Sequence, residues 1–411
     1  MNLQIKTPIW TGDIDTKSDT IQPTGVTGSL RWWMETLIRG MNEFACDPTD
    51  EIRCPNNNEG NYCPVCLIFG ARGRRRLFRL EINGGKKISF PGNKAINIKP
   101  SGRSHGWFLG PGIVGKLEIK IISLDEKFDE TLILVPLLIA SKWGEIGAKT
   151  QLGYGVVELT NPSDVDFHDF RGALEKLFSK DAKRQKSNSL GFPNLKEMFF
   201  AKVQFRARGD WWKKINGVEK SKKAVEECLR NNFFPIAPVI KNWLRYGNGK
   251  EIWKIGGQNT KGLENWLFGT SKSVCPQCYN GVTPKNGDGD KIFKCANCKR
   301  EFKKEEIIER SASKINISCA YKINSDLWEF RLWGWIPEND TPQGFNRNAF
   351  LDALKNELNM NNLAEILGER AQNHQLVVWR EFQTKRDTVK LYTDIEEFIQ
   401  SLLKGEGENV S

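Results

Sequence analysis

The sequence predicts an α+β protein made of two copies of one α+β unit, with a metal ribbon inserted in the second. Three observations carry this. Alternating strand patterns and helix-spaced apolar stripes interleave along the chain. An apolar-Phe-Gly step occurs twice, at Cys66-Leu-Ile-Phe69-Gly70 and at Leu267-Phe268-Gly269, and each leads toward an apolar strand. Two CxxC pairs then follow the second step.

The elements read as follows. Leu3–Trp10 is a strand and Pro23–Gly28 (PTGVTG) a loop. Ser29–Arg39 places Leu30, Trp33, Met34, Leu37 and Ile38 on one helical face, with Arg31 and Trp32 off it. Leu77–Ile82 and Leu117–Ile122 alternate as strands. Glu126–Trp143 is a helix that Pro136 can kink. A glycine-rich loop, Gly147–Gly155, joins it to the strand Val156–Leu159. This helix-then-strand order excludes a phosphate-binding Walker loop and a dinucleotide fingerprint. Its glycines serve close backbone approach or a plain tight turn, and Lys149, Thr150 and Gln151 project from it.

Asn161–Pro193 is a polar connector with a short helix at Phe170–Phe178. Beyond it, Met198–Arg208, Ser311–Tyr321, Trp328–Ile336 and Leu376–Phe382 read as strands. Lys222–Asn231, Ala349–Leu367 and Asp394–Leu403 read as helices. The domain expectation is a first unit at 1–160, a connector at 161–194 and a second unit at 195–345 with the ribbon at 272–303. A mainly helical segment, 346–411, is expected to pack on that second unit.

Composition narrows the class. A length of 411 residues suggests two or three domains at roughly 150 residues each. With 39% hydrophobic residues the chain can build real cores. The longest apolar run, Thr131–Ala140, is about half the length of a membrane span. The first residues lack a basic-then-apolar leader pattern, so a cytoplasmic setting with reduced thiols is expected. A net charge of +11 favours a polyanion partner, nucleic acid first, over a role in solubility alone. Fourteen Trp add faces that can stack on bases, although core packing accounts for most of them.

The cysteines cluster. Cys275-Pro-Gln-Cys278 and Cys295-Ala-Asn-Cys298, sixteen residues apart, have zinc-ribbon spacing. Four thiolates make a closed, structural site rather than a catalytic one. Cys46, Cys54, Cys63 and Cys66 form a less regular second set, open to a second zinc or to free or paired thiols. Cys228 and Cys319 read as buried small residues.

Arg72, Arg74, Arg75, Arg76 and Arg79 lie within eight residues. In a strand, Arg75 and Arg79 would share one face and Arg74 and Arg76 the other. Guanidinium forks suit phosphate, so phosphate contact is favoured over a charged edge strand. Lys17, Arg31 and Lys149 could extend that surface. Only three His are present, and none forms a nucleophile-base pattern. His105, in a Gly-rich basic loop, is the alternative as acid or base of a metal-independent endoribonuclease. Asp13, Asp15 and Asp19 lack the spacing of a calcium loop and read as solvated.

Thr7-Pro-Ile-Trp-Thr-Gly12-Asp, the step from Pro23–Gly28 into Ser29-Leu-Arg31-Trp32-Trp33, and Cys63-Pro-Val-Cys66-Leu-Ile-Phe69-Gly70 resemble RAMP proteins of CRISPR systems. The likeness is greatest to those of the Cmr (type III-B) effector complex, and Gly147–Gly155 is similar to the family's glycine-rich loop. It covers about residues 5–160. It implies two ferredoxin-like (RRM-like) modules, binding of single-stranded guide or target RNA, assembly with other Cmr subunits and no catalytic activity here. By motif it places Arg31, Trp32, Arg72, Arg74 and the stretch from Lys149 through Gly153 and Tyr154 to Gly155 on or under the RNA surface. The strand aromatics of the usual RNA-stacking sheet are not evident, so loops would do the binding.

Overall fold

A computed structural model of the chain describes residues 1–49, 53–55, 62–93, 95–160, 165–177, 191–246, 252–253, 260–285, 292–368 and 370–407. Half of the expected 161–194 connector and the tip of the expected ribbon lie outside these residues.

The first half runs β1 (Asn2–Ile9), α1 (Pro23–Gly40), α2 (Pro64–Phe69), β2 (Phe78–Lys87), β3 (Ile96–Ile98), β4 (Trp107–Leu109), β5 (Ile113–Ser123), α3 (Thr131–Trp143) and β6 (Val157–Leu159). Four of these strands form a sheet in the order β2-β5-β1-β6, antiparallel at every pairing. The predicted stripe of α1 is buried, with Leu30, Trp33, Met34, Leu37 and Ile38 at 3% exposure or less. α1 begins earlier than expected. Pro23–Gly28 forms its first turns and not a loop, because Pro23 occupies the first helical position, where its missing N–H costs nothing. Pro136 sits within α3, whose residues are almost all buried.

The connector helix is α4 (Phe167–Leu177). The second half comprises β7 (Met198–Ala207), α5 (Lys222–Arg230), β8 (Phe233–Phe234), α6 (Ala237–Tyr246), α7 (Thr260–Phe268), a small sheet of β9 (Val282–Pro284), β10 (Ile292–Cys295) and β11 (Glu301–Lys303), then β12 (Ile315–Ile317), β13 (Ala320–Lys322), β14 (Leu327–Trp335), α8 (Arg347–Glu357), α9 (Met360–Leu367), β15 (Ala371–Glu381) and α10 (Ile395–Lys404). Its main sheet has the order β15-β7-β14-β13-β8, with β12 also paired to β14. The expected helix 349–367 is thus two helices, separated where Asn359 caps the second through Asn362.

β7 is apolar on both faces, and that explains how the halves join. Met198 and Phe200 belong to a core shared with α1, α3 and α10, whereas Phe199, Val203 and Phe205 face α5–α9. Arg331 on β14 donates to the carbonyls of Ser141 (2.7 Å) and Gly144 (3.1 Å), closing the end of α3. The segment after 345 departs from its expectation twice. Its strand β15 pairs with β7 along the sheet edge, so it is not simply a helical appendage. Its last helix packs on the first half: the Trp143 indole N–H donates to the carbonyl of Leu402 at 2.8 Å. The apolar stripe of α10, Phe398, Ile399, Leu402 and Leu403, is buried in the same core as α3.

The Phe-Gly echo is reproduced bond for bond. Gly70 and Gly269 both have positive φ, 84° and 71°. Leu77 N–H donates to Ile68 O (2.9 Å), as Lys314 N–H does to Leu267 O (2.8 Å). Ala71 and Arg74 exchange both backbone hydrogen bonds, as do Thr270 and Ser311. Residues 271–310, including the small sheet, therefore stand where Arg72 and Gly73 make a two-residue turn.

Candidate nucleic-acid interface

The glycine-rich loop and the N-terminal end of α1 meet the second half across an open groove. The cavity measures about 940 Å³. On one side it is lined by Gly28, Ser29 and Trp32 of α1 and by Thr150 and Gln151 of the loop. On the other stand Lys241 and Arg245 of α6, then Gly269, Arg310 and Ser313. Trp107 on β4 forms part of the rim.

Glycines bring these walls together. A Cβ at Gly147 would lie 2.7 Å from Trp10 O, and one at Gly153 only 2.3 Å from the Cys319 amide nitrogen. Both have positive φ. The loop thus wedges between β1 and the second sheet, and the Cys319 amide donates to Gly153 O at 2.9 Å. This corrects the expectation for two residues. Gly153 is buried in that contact, and Tyr154 is fully buried with its hydroxyl donating to Gly110 O at 2.5 Å, so neither offers a ligand surface. Thr150 reaches the groove, its hydroxyl donating to Asn316 Oδ1 at 3.3 Å, and Gln151 is exposed there. Lys149, in the left-handed region, lays its ammonium over the Trp10 ring, 3.0 Å from the centroid. Burial there lowers its pKa.

The floor is aromatic. Half-buried Trp32 packs edge-on against Trp33 and Trp333. The indole N–H groups of Trp33 and Trp333 are both received by Glu145, on its carbonyl (3.1 Å) and its Oε2 (3.0 Å). Burial pushes that carboxyl well above the usual carboxylate range.

The opposite wall is cationic. Lys241 is 7% exposed, its ammonium 3.3 Å from Ser313 Oγ. Arg245 donates to Gly269 O (2.8 Å) and Asn265 Oδ1 (2.7 Å). Arg310 is exposed. Among the described residues none of these three forms an ion pair, and Glu264 acts on Arg245 only at longer range. Burial, with Arg245 beside it, lowers the Lys241 pKa to about 8. A row of unpaired cations beside serine hydroxyls suits phosphate oxygens. Trp107, Lys241, Arg245 and Arg310 carry no motif in the sequence. The nearest signal there is the repeated Phe-Gly step, whose two glycine carbonyls are held by Arg31 and Arg245.

The arginine run lies outside the groove. Arg72, Arg74 and Arg75 are exposed on a turn before β2, and not on a strand, so the predicted alternation does not apply to them. Arg74 lies over the Tyr62 ring and Arg75 donates to Leu124 O (3.2 Å). Arg76 is half-buried, and Arg79 pairs with Glu81 at 2.7 Å. Lys17 is exposed on the Thr11–Thr20 loop and does not line the groove. Arg31 is committed inward, to Glu35 (2.9 Å), Gly70 O (2.9 Å) and Cys66 Sγ (3.2 Å), which removes it from any ligand surface. His105 is exposed, and the hydrogen bond its ring makes is with Ser104 Oγ at 2.9 Å.

Both cysteine sets close up. Cys46, Cys54, Cys63 and Cys66 bring their sulfurs within 4.8 Å of one another, as do Cys275, Cys278, Cys295 and Cys298. Each set can hold a metal ion, so the structure provides two such sites rather than one.

Residues 2–158 match the family model of the RAMP superfamily. The matched segment contains β1, α1, the arginine turn, α3 and the glycine-rich loop. A comparison with curated proteins finds no match. Among solved structures, the chain is similar to Cmr1 from Pyrococcus furiosus in its apo form, at 13% identity and a TM-score of 0.36, covering 86% of this chain and 95% of that one. It is also similar to chains of type III-B Cmr-beta bound to cognate target RNA, one with AMPPnP and ssDNA present (12% identity, TM-score 0.37) and one without (11%, 0.38). Each covers 86% of this chain and 98% of the other. Among the described residues no helix is long and apolar enough to cross a membrane.

Proposed function

We propose that this chain is a non-catalytic RNA-binding subunit of a type III-B CRISPR Cmr complex, of the first-subunit kind. It holds single-stranded guide or target RNA and docks with other Cmr subunits. The observation that carries the reading is the groove, in which unpaired Lys241, Arg245 and Arg310 face Trp32 across a gap bounded by the RAMP loop. Cations take phosphates and indole faces take bases, without need for sequence readout. We read both halves as ferredoxin-like modules, since β2-β5-β1-β6 and β12-β14-β7-β15 follow the same antiparallel order, with β8 and β13 added in the second. On that reading the second module extends to β15, with the connector before it.

The arginine turn extends the phosphate track. Arg74→Ala with Arg75→Ala is expected to weaken RNA binding uniformly across sequences. It should flatten the dependence of log affinity on log salt by up to about two. Binding measured by fluorescence anisotropy over a salt series checks this, and an unchanged slope removes the turn from the site.

We assign zinc to both four-cysteine sets, because four thiolates in a closed tetrahedral array suit that ion. Among the described residues the ribbon's own core is Phe302 and Ile307 around Cys275 and Cys295, with half-buried Val282 and Phe293 against them, too little apolar surface to fold unaided. Cys275→Ser is therefore expected to lose one zinc per chain by elemental analysis and to unfold residues 272–303 locally. Retention of both ions contradicts the assignment.

A further inference from the structure

The first cysteine set is attached to the arginine turn by two side chains, Arg31 and Tyr62, the latter next to Cys63 and donating its hydroxyl to Arg72 O at 3.2 Å. Cys66 lies within the short helix α2, and Gly70, just past its end, opens the turn that presents Arg72, Arg74 and Arg75. Arg31 bonds both, the Cys66 sulfur and the Gly70 carbonyl. Its neighbour Trp32 lines the groove. Any displacement of Cys66 is thus passed to the turn through the chain and to the groove through α1.

The cluster has the properties of a thiolate site. The Cys46–Cys66 and Cys46–Cys63 sulfur distances are 3.4 and 3.8 Å. Tetrahedral zinc with bonds of about 2.3 Å sets sulfurs about 3.8 Å apart. Backbone N–H groups of Cys63 and Cys66 point at the sulfurs of Cys54 (3.3 Å) and Cys63 (3.5 Å). Four thiolates around a divalent ion carry two negative charges. α1 supplies two buried or half-buried guanidiniums beside them, Arg31 and Arg39, the latter donating to the Ala45 and Cys46 carbonyls at 3.0 Å each. Glu35 lies between the two and holds Arg31 in place at 2.9 Å.

The second half gives an internal comparison. Arg245 holds Gly269 as Arg31 holds Gly70, but its other contact is the neutral amide of Asn265, at the position equivalent to Cys66. The first corner is held by a metal-ligating sulfur, and the second by an ordinary hydrogen bond. The ribbon's four cysteines lie in the 271–310 excursion, and their link to the second corner runs through the Asn265 amide, which donates to the carbonyl of Tyr279 at 2.9 Å, and not through a ligand sulfur.

We infer that the ion at Cys46, Cys54, Cys63 and Cys66 sets the position of the Arg72–Arg76 turn, with Arg31 as the positioning residue between them, so that RNA affinity depends on this metal and not on the ribbon's. The inference rests on the RNA reading above for its affinity arm alone. Metal occupancy and the state of the turn are read separately.

The test uses the full chain and zinc itself. Zinc content, zinc release to the chromogenic chelator 4-(2-pyridylazo)resorcinol, tryptic cleavage at Arg72–Arg76 and affinity for an oligouridylate are compared in wild type, Cys66→Ser, Arg31→Ala, Arg31→Lys, Arg245→Ala and Cys275→Ser. Arg31→Ala is expected to keep the fold but release one zinc about 10-fold faster, as loss of an outer-shell donor does. It should speed cleavage at the turn and lower RNA affinity. Arg31→Lys should recover part of each, because one ammonium cannot span sulfur and carbonyl as the fork does. Arg245→Ala should leave zinc release unchanged, and Cys275→Ser should lose a zinc with RNA affinity intact. If Cys66→Ser does not fold, the Arg31 pair decides. Unchanged zinc release in Arg31→Ala, or faster release with unchanged cleavage and affinity, overturns the inference. Absence of RNA affinity in wild type refutes the RNA reading instead, and release and cleavage then decide the metal's hold on the turn.

Discussion

Arg380→Ala is expected to destabilise the chain by about 3–5 kcal/mol, the usual cost of removing one member of a buried ion pair. Arg380 on β15 is fully buried, as is its partner Asp387, at 3.0 Å. Its guanidinium also donates to Glu406 O (2.7 Å) and to the Ser401 hydroxyl, and lies 5.3–5.5 Å from the ring centroids of Trp143, Tyr392 and Phe398. It thereby ties the second sheet to α10, and α10 to α3. Alanine leaves the Asp387 carboxylate buried without its counter-charge. Replacing both partners with apolar residues, Arg380→Met with Asp387→Leu, is expected to cost less than the single change, since no charge is stranded. Urea unfolding measures both. A loss below about 1 kcal/mol for Arg380→Ala, the size typical of a surface pair, contradicts this account of how the halves are joined.

The second large effect is on RNA. Trp32→Ala is expected to remove one stacking platform, about 1–3 kcal/mol of affinity. Lys241→Ala should lower affinity further and reduce the salt slope by about one. Lys241 also confers a pH dependence. Its folded pKa, about 8, lies below the ordinary 10.5, so the unfolded chain binds its proton more tightly. Between these values the unfolded state carries more protons, and Lys241's contribution to stability rises with pH. Its grip on phosphate moves the opposite way, being full below pH 8 and lost as pH rises through about 8. Lys241→Arg should keep that grip to higher pH, because guanidinium stays charged. A binding curve over pH that is the same in wild type and Lys241→Arg removes Lys241 from the contact. Melting curves on each variant separate lost contact from lost fold, which matters for Trp32 because it packs on Trp33 and Trp333.

Local patterns were the legible part of this chain. The α1 stripe, the long strands β2, β5, β7 and β14 and both CxxC knuckles follow from periodicity and spacing within single segments. Helix α6 was not read because Pro235 and Pro238 at its start mark a loop as readily as a first helical turn. The groove was legible on one side only. Trp32 and the loop residues Thr150 and Gln151 sit next to motifs, whereas Lys241, Arg245 and Arg310 are brought to the same cavity by pairing of distant strands. Arg31 and Tyr154 show the converse. A motif marks both positions, but each side chain holds the fold, Arg31 against Cys66 and Gly70 and Tyr154 beneath the β4–β5 turn at Gly110. A cation count predicts a basic surface without telling which cations already have partners.

The most direct measurement is affinity of the intact chain for single-stranded RNA across a salt series, with RNA integrity followed on the same samples and the Lys241→Ala, Arg310→Ala double variant beside wild type. The account predicts binding that weakens steeply with salt, a slope smaller by about two in the double variant, and RNA recovered uncut. Binding that is absent at low salt, or has the same slope in both proteins, contradicts the groove as the RNA site. Cleavage lost in His105→Ala contradicts the non-catalytic role.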